Sequence, residues 1–405
     1  MNILYIAYSC APNKGSEEKI GWNIPLESAK TNNVYVITKE EHKKVITEYL
    51  REHNVENIKF YYVDIPAMYK TVKSVYTFRL NKWHKTAFKL AKEICAEKNI
   101  DIIHQITPIE FRSIGDYGKI KGPKFVCGPI GGGEYIPKGL TTYAKRFFLI
   151  EWLRRILNCL CKVNVKFTKK LSKCDYILFA NSETEQYLKQ ITEGVRTEIY
   201  FDNGLSVEEF SKSQRTMEST RQLTIIVAGR LAYRKGHAFL FDALKKMPID
   251  AKYCVKIVGN GPELKILKKK VDLYDLQDKV VFLGRIPFSA MQNEYENADV
   301  FVMPSIRETT GSVLLEATSK AIPVITINKF GGPVLFDESS SWLYDGKNKR
   351  EYINNLAVAL EDCIKNPQKR IEKGKKAQIV ALNHTWDKKI EKYNSIYKKL
   401  ISNDD

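Results

Sequence analysis

The sequence has no pair of cysteines with the CxxC spacing of a zinc or redox motif. Its eight cysteines are scattered over 405 residues without a CxxC motif, and its six histidines do not cluster near them. This spacing argues against a zinc site and against a disulfide framework. Scattered cysteines in a long chain are typical of a reducing compartment, so we expect a cytoplasmic protein.

Long apolar runs are also absent. No stretch approaches the ~20 apolar residues that a membrane-spanning helix requires. The run that opens the chain, residues 1–7, lacks a basic start and is too short for a signal peptide, so we interpret it as a buried strand. We expect a protein that can touch a membrane but does not cross one.

Acidic residues are outnumbered by basic ones. The 65 Lys and Arg exceed the 47 Asp and Glu and give a formal net charge of +18. This excess favours anionic partners such as nucleic acid, anionic lipid or phosphorylated substrates, although a generally basic proteome would produce it too. Hydrophobic residues make up 44% of the chain, which is enough for two sizeable cores.

Short apolar runs alternate with longer helical patterns, which is typical of βαβ units and a parallel sheet. We therefore expect an α/β protein with two Rossmann-like, doubly wound domains. The predicted strands of the first half cover residues 3–8, 34–38, 58–63, 102–103, 124–127 and 176–180, and those of the second half cover 223–228, 253–258, 280–283, 300–303 and 323–327.

A polar stretch without strong periodicity, residues 211–222, predicts the interdomain linker. The predicted N-terminal domain is therefore 1–210 and the predicted C-terminal domain is 223–384. Residues 385–405 are expected to form a final helix with Trp386, Tyr393 and Tyr397 on one apolar face. Because ligands bind at the carboxyl ends of strands in open α/β sheets, the loops after the strands are the candidate sites.

Two of these loops can meet an anion. The first leads to Gly15 and Ser16, just before a predicted helix, where free backbone N–H groups can face a phosphate. An ordinary strand-to-helix turn would have the same sequence. The second carries Gly229, Arg230 and Lys235. Two cations beyond a strand end would stabilise the charge of a leaving diphosphate, unless the loop is only a solvated basic turn.

A glycine pair, Gly259 and Gly261, follows the next predicted strand and opens a helix. It resembles a dinucleotide fingerprint, but Leu264 stands at the third glycine position and the expected acidic residue is not obvious. We interpret the pair as a turn that approaches a nucleotide closely, and not as an NAD site.

The most specific pattern is a pair of glutamates, Glu308 and Glu316, eight positions apart across a predicted loop-to-helix transition. Glu308 precedes the helix and could reach a sugar, and Glu316 lies inside it and could accept hydrogen bonds from ribose hydroxyls. Two glutamates on a surface helix would be a simpler explanation. The apolar residues 313–315 between them favour a helix that packs inward.

The same helix start is a second candidate anion site in the second half. The helix is predicted to begin at Thr310 or Gly311, which leaves the N–H groups of Ser312 and Val313 for an anion. No Asp-x-Asp pair is present in the sequence. We therefore expect no Mg²⁺ or Mn²⁺ held by carboxylates, and no other metal or cofactor.

These residues are similar to those of the family-4 glycosyltransferases, a GT-B group that includes many bacterial polysaccharide and glycolipid enzymes. The matching motifs are Gly229-Arg230-Leu231 with Lys235-Gly236, Gly259-Asn260-Gly261-Pro262, Phe282-Leu283-Gly284, Ala298-Asp299 with Pro304-Ser305, the Glu308 and Glu316 pair, Asp101-Ile102-Ile103-His104, Ala180-Asn181-Ser182, Asn203-Gly204-Leu205 with Phe210, and Thr385-Trp386 with Tyr397. The resemblance covers nearly the whole chain, and the motifs are specific in combination.

The resemblance implies the GT-B architecture, with two domains facing across a cleft and the final helix crossing back to the first. It also implies a metal-independent, retaining transfer of a sugar from a UDP- or GDP-sugar to a lipid-linked or saccharide acceptor. The implied donor contacts are Arg230 and Lys235 with the diphosphate, Glu308 with the sugar, Glu316 with the ribose, and Arg285 and Ile286 with the base.

One departure from the family pattern concerns a histidine. Many members carry it in the loop after the strand that here covers 124–127, whereas this chain has the glycine-rich residues 128–134. His104 and Glu134 are the candidates to replace it, and His104 is counted among the predicted catalytic residues. A satisfied histidine at the end of a strand would explain His104 equally well.

Two segments combine basic and apolar residues. Residues 138–173 contain ten Lys or Arg and one acid, and residues 70–92 contain seven basic residues and no acid. Amphipathic basic segments can lie on anionic lipid. Alternatively, the apolar stripe packs on the sheet of the first domain. We expect peripheral attachment to the inner face of the plasma membrane.

Two other functions remain open at this point. A GT-B nucleotide-sugar epimerase would convert a UDP-sugar without any acceptor. A basic nucleic-acid-binding protein would use the net charge, but the sequence has no recognised groove-reading or base-stacking motif, so we expect no nucleic-acid partner.

Overall fold

The computed structural model describes residues 1–12, 15–65, 76–210 and 222–402. The predicted linker, 211–222, lies outside the described residues except for its last position. The chain divides into two compact units, which are described separately. The first unit comprises Met1–Gly133, Leu153–Gly204 and Trp386–Asp405, and the second comprises Glu134–Trp152 and Leu205–Thr385.

The first unit contains a parallel sheet of seven strands in the order β3-β2-β1-β4-β5-β6-β7. The strands are β1 (Asn2–Ala7), β2 (Asn33–Lys39), β3 (Ile58–Val63), β4 (Ile102–Thr107), β5 (Lys124–Ile130), β6 (Tyr176–Phe179) and β7 (Arg196–Ile199). The helices that belong to it wholly or in part are α1 (Ser16–Ser28), α2 (Lys43–Glu52), α3 (Tyr76–Lys98), α4 (Phe148–Thr168), α5 (Ser182–Leu188) and α13 (Trp386–Ser402). The boundary between the units falls within α4, between Trp152 and Leu153.

The central strands β1, β4, β5 and β6 are buried on both faces, as a parallel sheet covered by helices requires, whereas the edge strands β3 and β7 are partly exposed. Alternate residues of β1 enter two different cores: Ile3 and Tyr5 share one with α13, and Leu4 shares the other with Trp83 of α3. The period-two alternation of side chains along a strand divides these residues between the two faces. The aromatic face of α13 is therefore part of the same core as Ile3 and Tyr5.

The second unit contains a parallel sheet of six strands in the order β10-β9-β8-β11-β12-β13. The strands are β8 (Leu223–Ala228), β9 (Tyr253–Val258), β10 (Val280–Gly284), β11 (Val300–Met303), β12 (Val324–Ile327) and β13 (Ser341–Tyr344). The helices are α6 (His237–Leu244), α7 (Leu264–Leu273), α8 (Phe288–Glu296), α9 (Val313–Thr318), α10 (Gly332–Leu335), α11 (Lys349–Lys365) and α12 (Pro367–Leu382).

Residues 134–152 belong to the second unit, although the sequence-based boundaries place them in the N-terminal domain. Leu140 and Ala144 lie in the core of the second unit. The rings of Phe147 and Tyr233 stack with centroids 4.2 Å apart. Residues 205–210 also fall in the second unit. The predicted boundaries followed chain order, whereas these contacts link segments that are far apart in sequence.

None of the helices in the described ranges is long and apolar enough to cross a membrane.

Candidate active site

The order of the second sheet creates a natural binding crevice. The chain runs from β8 outward to β9 and β10 and then returns to β11, which pairs with the other side of β8. The loops after β8 and β11 therefore diverge, and ligands bind at such a switch point outside the carboxyl ends of the strands. Residues 229–236 and 304–312 form these two loops.

The two loops are packed backbone against backbone at Gly236. This glycine has φ +71° and precedes α6, and a Cβ atom placed on it would lie 1.8 Å from the carbonyl oxygen of Pro304. The N–H of Ile306 donates to the carbonyl oxygen of Arg234 at 2.9 Å. No residue with a side chain fits at Gly236 without displacing the second loop. This packing fixes where the neighbouring Lys235 can point.

Lys235, Arg234 and Glu308 form a charged cluster between these loops. The ammonium of Lys235 donates to Oε2 of Glu308. Nη1 of Arg234 lies 3.3 Å from Oε1 of the same carboxylate. The side chains of Lys235 and Glu308 are only 16% and 12% exposed, whereas that of Arg234 is 36% exposed. The cluster is thus shielded enough for its charges to interact strongly, with Arg234 at its open side.

The pKa of Glu308 reflects this environment. Burial alone would raise it, but the Lys235 and Arg234 cations, the Lys235 hydrogen bond and the N–H of Thr309 together hold the pKa below its ordinary value. Glu308 is therefore a carboxylate at neutral pH. Two cations facing one carboxylate leave a net positive charge, which suits a polyanionic ligand.

Glu316 lies in α9 and accepts a hydrogen bond from the hydroxyl of the buried Tyr295, with an O–O distance of 3.3 Å. Burial and the nearby carboxylate raise the pKa of Tyr295 well above its usual range, so its hydroxyl stays a donor. The sequence analysis did not identify Tyr295. It orients one oxygen of Glu316, and the glutamate itself remains half-buried.

The side chain of Arg230 is exposed, and the described residues provide it with no hydrogen bond or ion pair. The arginine beside Glu308 is Arg234, which the sequence analysis did not select. Its position next to Lys235, in a run of two basic residues, was the available signal.

Backbone hydrogen bonds donated by glycines connect the ends of β8, β9 and β10. Gly229 donates to the carbonyl oxygen of Val258 at 2.9 Å, and Gly259 donates to that of Gly284 at 2.7 Å. A Cβ atom on Gly259 would lie 1.9 Å from the carbonyl oxygen of Gly229. The residues after β10, Arg285 and Ile286, are exposed and half-buried, respectively, and therefore accessible at this edge.

The sequence analysis explained Gly261 by a close approach to a nucleotide. The structure shows that a close approach within the protein already requires a glycine at this position. A Cβ atom there would lie 2.4 Å from the carbonyl oxygen of Leu231, so the close approach is to another loop of the protein. The N–H of Leu231 also donates to the carbonyl oxygen of Asn260 at 3.0 Å. Gly261 thus supports the loop that carries Arg230, and its direct contact with a nucleotide stays a prediction.

Helix α9 begins at Val313, later than the predicted start at Thr310 or Gly311. Gly311 has φ +91°, which places it in a turn, and Thr310 is buried. Ser312 is the residue that precedes the helix. The prediction placed the helix start two or three residues too early because the left-handed turn at Gly311 continues the loop.

A second ion pair links residues 134–152 to the same loops. Nη2 of Arg307 lies 2.8 Å from Oε1 of Glu151, and the hydroxyl of Tyr233 donates to the same oxygen. Arg307 and Glu151 are 16% and 12% exposed. These three residues brace the loops on either side of the charged cluster. Sequence reasoning missed them because Glu151 is distant in the chain.

The predicted residues of the first unit are placed as follows. Gly15 precedes α1 and Ser16 is its first residue, and both are exposed. Glu17 of the same turn accepts hydrogen bonds from the N–H of Ile109 at 2.8 Å and from the hydroxyl of Ser9 at 3.2 Å. The contact of Gly15 and Ser16 with a donor stays a prediction.

The structure assigns His104 a structural role and not the predicted catalytic one. Its ring is fully buried, with Nδ1 2.6 Å from the hydroxyl of Tyr397 and Nε2 2.7 Å from the carbonyl oxygen of Gly128. Burial lowers the pKa of His104 to about 3. A neutral ring with both nitrogens occupied and no accessible surface cannot exchange a proton with a substrate. The other candidate, Glu134, is buried as well.

The described residues contain no group of three or more His, Cys, Asp or Glu that could hold a metal ion.

Residues 208–377 match the family model of the group 1 glycosyl transferases. An uncharacterized glycosyltransferase of Methanocaldococcus jannaschii is 31% identical over 148 residues, which are 36% of this chain and 38% of the relative. A GDP-mannose-dependent alpha-(1-6)-phosphatidylinositol monomannoside mannosyltransferase of Mycobacterium tuberculosis is 30% identical over 185 residues, 43% of this chain and 47% of that protein. The matched region thus spans less than half the length of either relative.

Solved structures resemble the whole chain. A sucrose-phosphate synthase from Thermosynechococcus elongatus superposes with a TM-score of 0.68 at 18% identity, covering 99% of both chains. The Anabaena protein HepE in complex with UDP-glucose superposes with a TM-score of 0.60 at 16% identity, covering 98% of this chain and 99% of that one. At such identities the likeness concerns the fold, and it confirms the predicted GT-B class. Residues 208–377 thus resemble the group 1 glycosyl transferases, and the solved structures share the fold of the whole chain.

Proposed function

We propose that this protein is a retaining, metal-independent glycosyltransferase. It transfers a sugar from a UDP- or GDP-sugar to a lipid-linked or saccharide acceptor, in the synthesis of a cell-surface polysaccharide or glycolipid. The observation that carries the proposal is the cluster of Lys235, Arg234 and Glu308 at the switch point of the second sheet. The family-model match over residues 208–377 and the names of the relatives support it.

The cluster has the charge that the chemistry requires. In the transfer, the bond between the anomeric carbon and the diphosphate oxygen breaks, and its electron pair leaves with the diphosphate. The acceptor oxygen bonds to the anomeric carbon, and its proton goes to the released nucleoside diphosphate. Lys235, Arg234 and the exposed Arg230 supply positive charge toward the leaving group as its negative charge grows. This charge performs the task that a divalent ion performs elsewhere.

The two glutamates have distinct roles in this proposal. The carboxylate of Glu308, which is ionised and held by Lys235, accepts hydrogen bonds from hydroxyls of the donor sugar. The carboxylate of Glu316, which accepts a hydrogen bond from Tyr295, accepts hydrogen bonds from the ribose hydroxyls as well. Ser312 and Val313, at the start of α9, lie between the two glutamates in sequence, and in this proposal their N–H groups face the diphosphate.

The names of two similar proteins support a nucleoside diphosphate sugar as the donor. The solved Anabaena structure is described as a complex with UDP-glucose, and the mycobacterial relative is described as GDP-mannose-dependent. Both are nucleoside diphosphate sugars. A screen for the donor of this protein should therefore vary the base and the sugar among nucleoside diphosphate sugars.

The partner surface that we propose is an anionic membrane, contacted by α4 at the inner face of the plasma membrane. Among the residues of α4, only Asn158 and Val165 are buried. The alternative that its apolar stripe packs on the sheet does not fit this exposure. The exposed apolar residues include Phe148, Leu149, Trp152, Leu153, Leu160 and Phe167. Arg154, Arg155 and Lys166 supply charge for anionic lipid, and lipid-exposed apolar side chains supply the remaining affinity.

The other basic segment has a different environment. The apolar residues of α3, including Leu80, Trp83 and Ile94, are buried in the first unit. The basic residues of this segment before position 76 lie outside the described residues. We therefore restrict the membrane proposal to α4. A cytoplasmic location is supported by the eight cysteines, all of which are free.

A thermal-shift screen of nucleoside diphosphates and nucleotide sugars tests the proposal first, since a ligand raises stability by mass action. We expect UDP- or GDP-sugars to raise the melting temperature, and Glu316→Ala to weaken that shift. The stabilising donor is then incubated with glycolipid and saccharide acceptors, and the anomeric configuration of the product is read by NMR. Conversion of the donor without an acceptor would favour an epimerase, and an inverted product would exclude retention.

A further inference from the structure

The second unit contains a cavity of about 640 Å³ that the proposed transfer does not use. It lies between residues 142–143 and the helices α6, α7 and α11. We call it the lysine cavity, after the four side chains Lys245, Lys246, Lys270 and Lys349 that line it. Its volume is in the range of small-molecule sites.

The floor of the lysine cavity is a fixed polar platform centred on Asp242. The hydroxyls of Tyr143 and Tyr274 each donate to one oxygen of Asp242 at 2.6 Å, and the Lys270 ammonium lies 2.6 Å from the same carboxylate. Asp242 and Lys270 are 11% and 19% exposed. Each side chain of the platform therefore has a partner within it.

The titration of the platform is consistent with this arrangement. Burial alone would raise the pKa of Asp242, but hydrogen bonds from Lys270, Tyr143 and Tyr274 lower it. Burial and the Asp242 hydrogen bond raise the pKa of Tyr274 to about 12. The tyrosines stay donors and the aspartate stays an acceptor over the ordinary pH range, so the hydrogen bonds of the platform persist over that range.

The remaining lysines are oriented by the rings but not neutralised. The ammonium of Lys245 lies 4.4 Å from the ring centroid of Tyr274, and that of Lys349 lies 5.1 Å from that of Tyr143. The described part of the chain places no carboxylate within ion-pair distance of Lys245, Lys246 or Lys349. Four lysines and one aspartate give the lysine cavity a net charge of +3.

We propose that the lysine cavity is a second anion site, which binds a ligand carrying a phosphomonoester or pyrophosphate group. Three ammonium groups without acidic partners present up to nine N–H donors. A single carboxylate would neutralise only one of the three net positive charges of the cavity. A phosphomonoester or pyrophosphate group, with two to four negative charges, is a better match. The phosphate belongs either to a lipid headgroup or to a soluble phosphorylated molecule. Residues 142–143, which line the cavity, lead directly into α4, the proposed membrane contact.

The test is lysine footprinting of the full-length protein with acetic anhydride, read by mass spectrometry. One arm adds inorganic pyrophosphate. The other compares vesicles containing phosphatidic acid, a phosphomonoester, with vesicles of equal charge containing phosphatidylserine, a phosphodiester. We expect protection of Lys245, Lys246 and Lys349 by about fivefold or more in at least one arm. Protection by pyrophosphate identifies a soluble source, and protection by phosphatidic acid beyond phosphatidylserine identifies a lipid source.

Binding assays on two triple variants distinguish binding in the lysine cavity from nonspecific attraction to the positive charge of the protein. The variant K245A/K246A/K349A is expected to bind the protecting ligand about tenfold more weakly. The control K252A/K375A/K398A removes three exposed lysines that do not line the cavity, and its affinity should equal that of the wild type. The Lys235→Ala variant should retain the protection, because its charge belongs to the donor site. Absence of protection in both arms, or equal losses in the two triple variants, would overturn the proposal.

Discussion

Lys235 and Glu308 form an ion pair although they are 73 positions apart in the sequence. The pair connects the loop after β8 with the loop after β11, the two strands whose divergence creates the crevice of the second sheet. The two loops are in close contact beside this pair, because Gly236, next to Lys235, packs on the carbonyl oxygen of Pro304. The geometry of this pair is the basis of the first two predictions.

Removing the Lys235 charge should slow transfer strongly. Lys235→Ala is expected to lower the transfer rate by on the order of 10²–10³-fold, because the developing charge on the diphosphate loses a fixed cation. Initial rates at saturating donor measure this loss. Lys252→Ala, which removes an exposed lysine outside the cluster, serves as the control and should keep the wild-type rate. Wild-type turnover of Lys235→Ala would contradict the assigned role.

The Lys235 and Glu308 pair should also make the protein less stable in acid. The folded-state pKa of Glu308 lies below its ordinary value of 4.5. Its stabilising contribution is therefore present above about pH 4.5 and is lost as the pH falls through the folded-state pKa. Glu308→Gln should lower the melting temperature at pH 7, and the difference from the wild type should shrink below pH 4.5. A difference that is independent of pH would show that the carboxylate charge contributes nothing.

Adding a methyl group at Gly236 should disrupt the site, whereas the same change at a similar glycine should not. Both Gly236 (φ +71°) and Gly194 (φ +82°) have left-handed backbones. The Cβ of Gly236→Ala would meet the carbonyl oxygen of Pro304, but that of Gly194→Ala meets nothing within 4 Å. We expect Gly194→Ala to cost about 1–2 kcal/mol, and Gly236→Ala to cost clearly more and to abolish donor binding. Urea unfolding and the donor-induced thermal shift measure the two effects, and equal losses would contradict the clash.

Three buried histidines should make stability fall in mild acid. Burial lowers the pKa of His84 and His104 to about 3 and that of His237 to about 4. An unfolded histidine binds a proton below about pH 6.5, and the folded one does so only near pH 3 to 4. Stability should thus decline from pH 6.5 downward, by up to about 1.4 kcal/mol per pH unit for each histidine. His104→Gln should reduce that slope and keep the transfer rate at permissive temperature. A lost rate with unchanged stability would instead support catalysis by His104.

Charge placed on the exposed face of α4 should reduce membrane binding. The test variant is L149E/L153E/L160E, and the matched control is I249E/L273E/V358E, which changes exposed apolar residues outside α4. We expect at least about tenfold weaker flotation of the test variant with anionic vesicles, because it loses buried apolar area and adds like charge. Equal binding to neutral and anionic vesicles by the wild-type protein would contradict the proposal.

Much of the fold could be predicted because buried parallel strands are short apolar runs. The strands β7 and β13 were missed. β7 contains Arg196 and Glu198 and is half exposed, and β13 is only four residues long. The apolar face of the final helix was recognised because Trp386, Tyr393 and Tyr397 share a helical period. The place of residues 134–152 could not be predicted, since it depends on contacts with residues about one hundred positions away.

The sequence indicated which residues belong to the candidate site, but not which side chains contact each other there. Lys235, Glu308 and Glu316 were selected because charged residues follow buried strands at the edge where ligands bind. The partner role of Arg234 was missed because the direction of a side chain within a loop depends on the packing of Gly236, which sequence spacing does not reveal. His104 was assigned to catalysis because its burial and its contact with Tyr397 depend on a helix 293 positions away.

The chain passes between the two units four times, at positions 133/134, 152/153, 204/205 and 385/386. A ribosome therefore synthesises the whole second unit before it makes the helix α13, whose Tyr393 and Tyr397 complete a core that includes Ile3. Until synthesis reaches that helix, the earliest strands lack part of their apolar cover. An expression fragment that stops at residue 210 would carry the same exposed surface permanently. Any attempt to produce the first unit alone must supply residues 386–402, either by fusion or as a separate peptide.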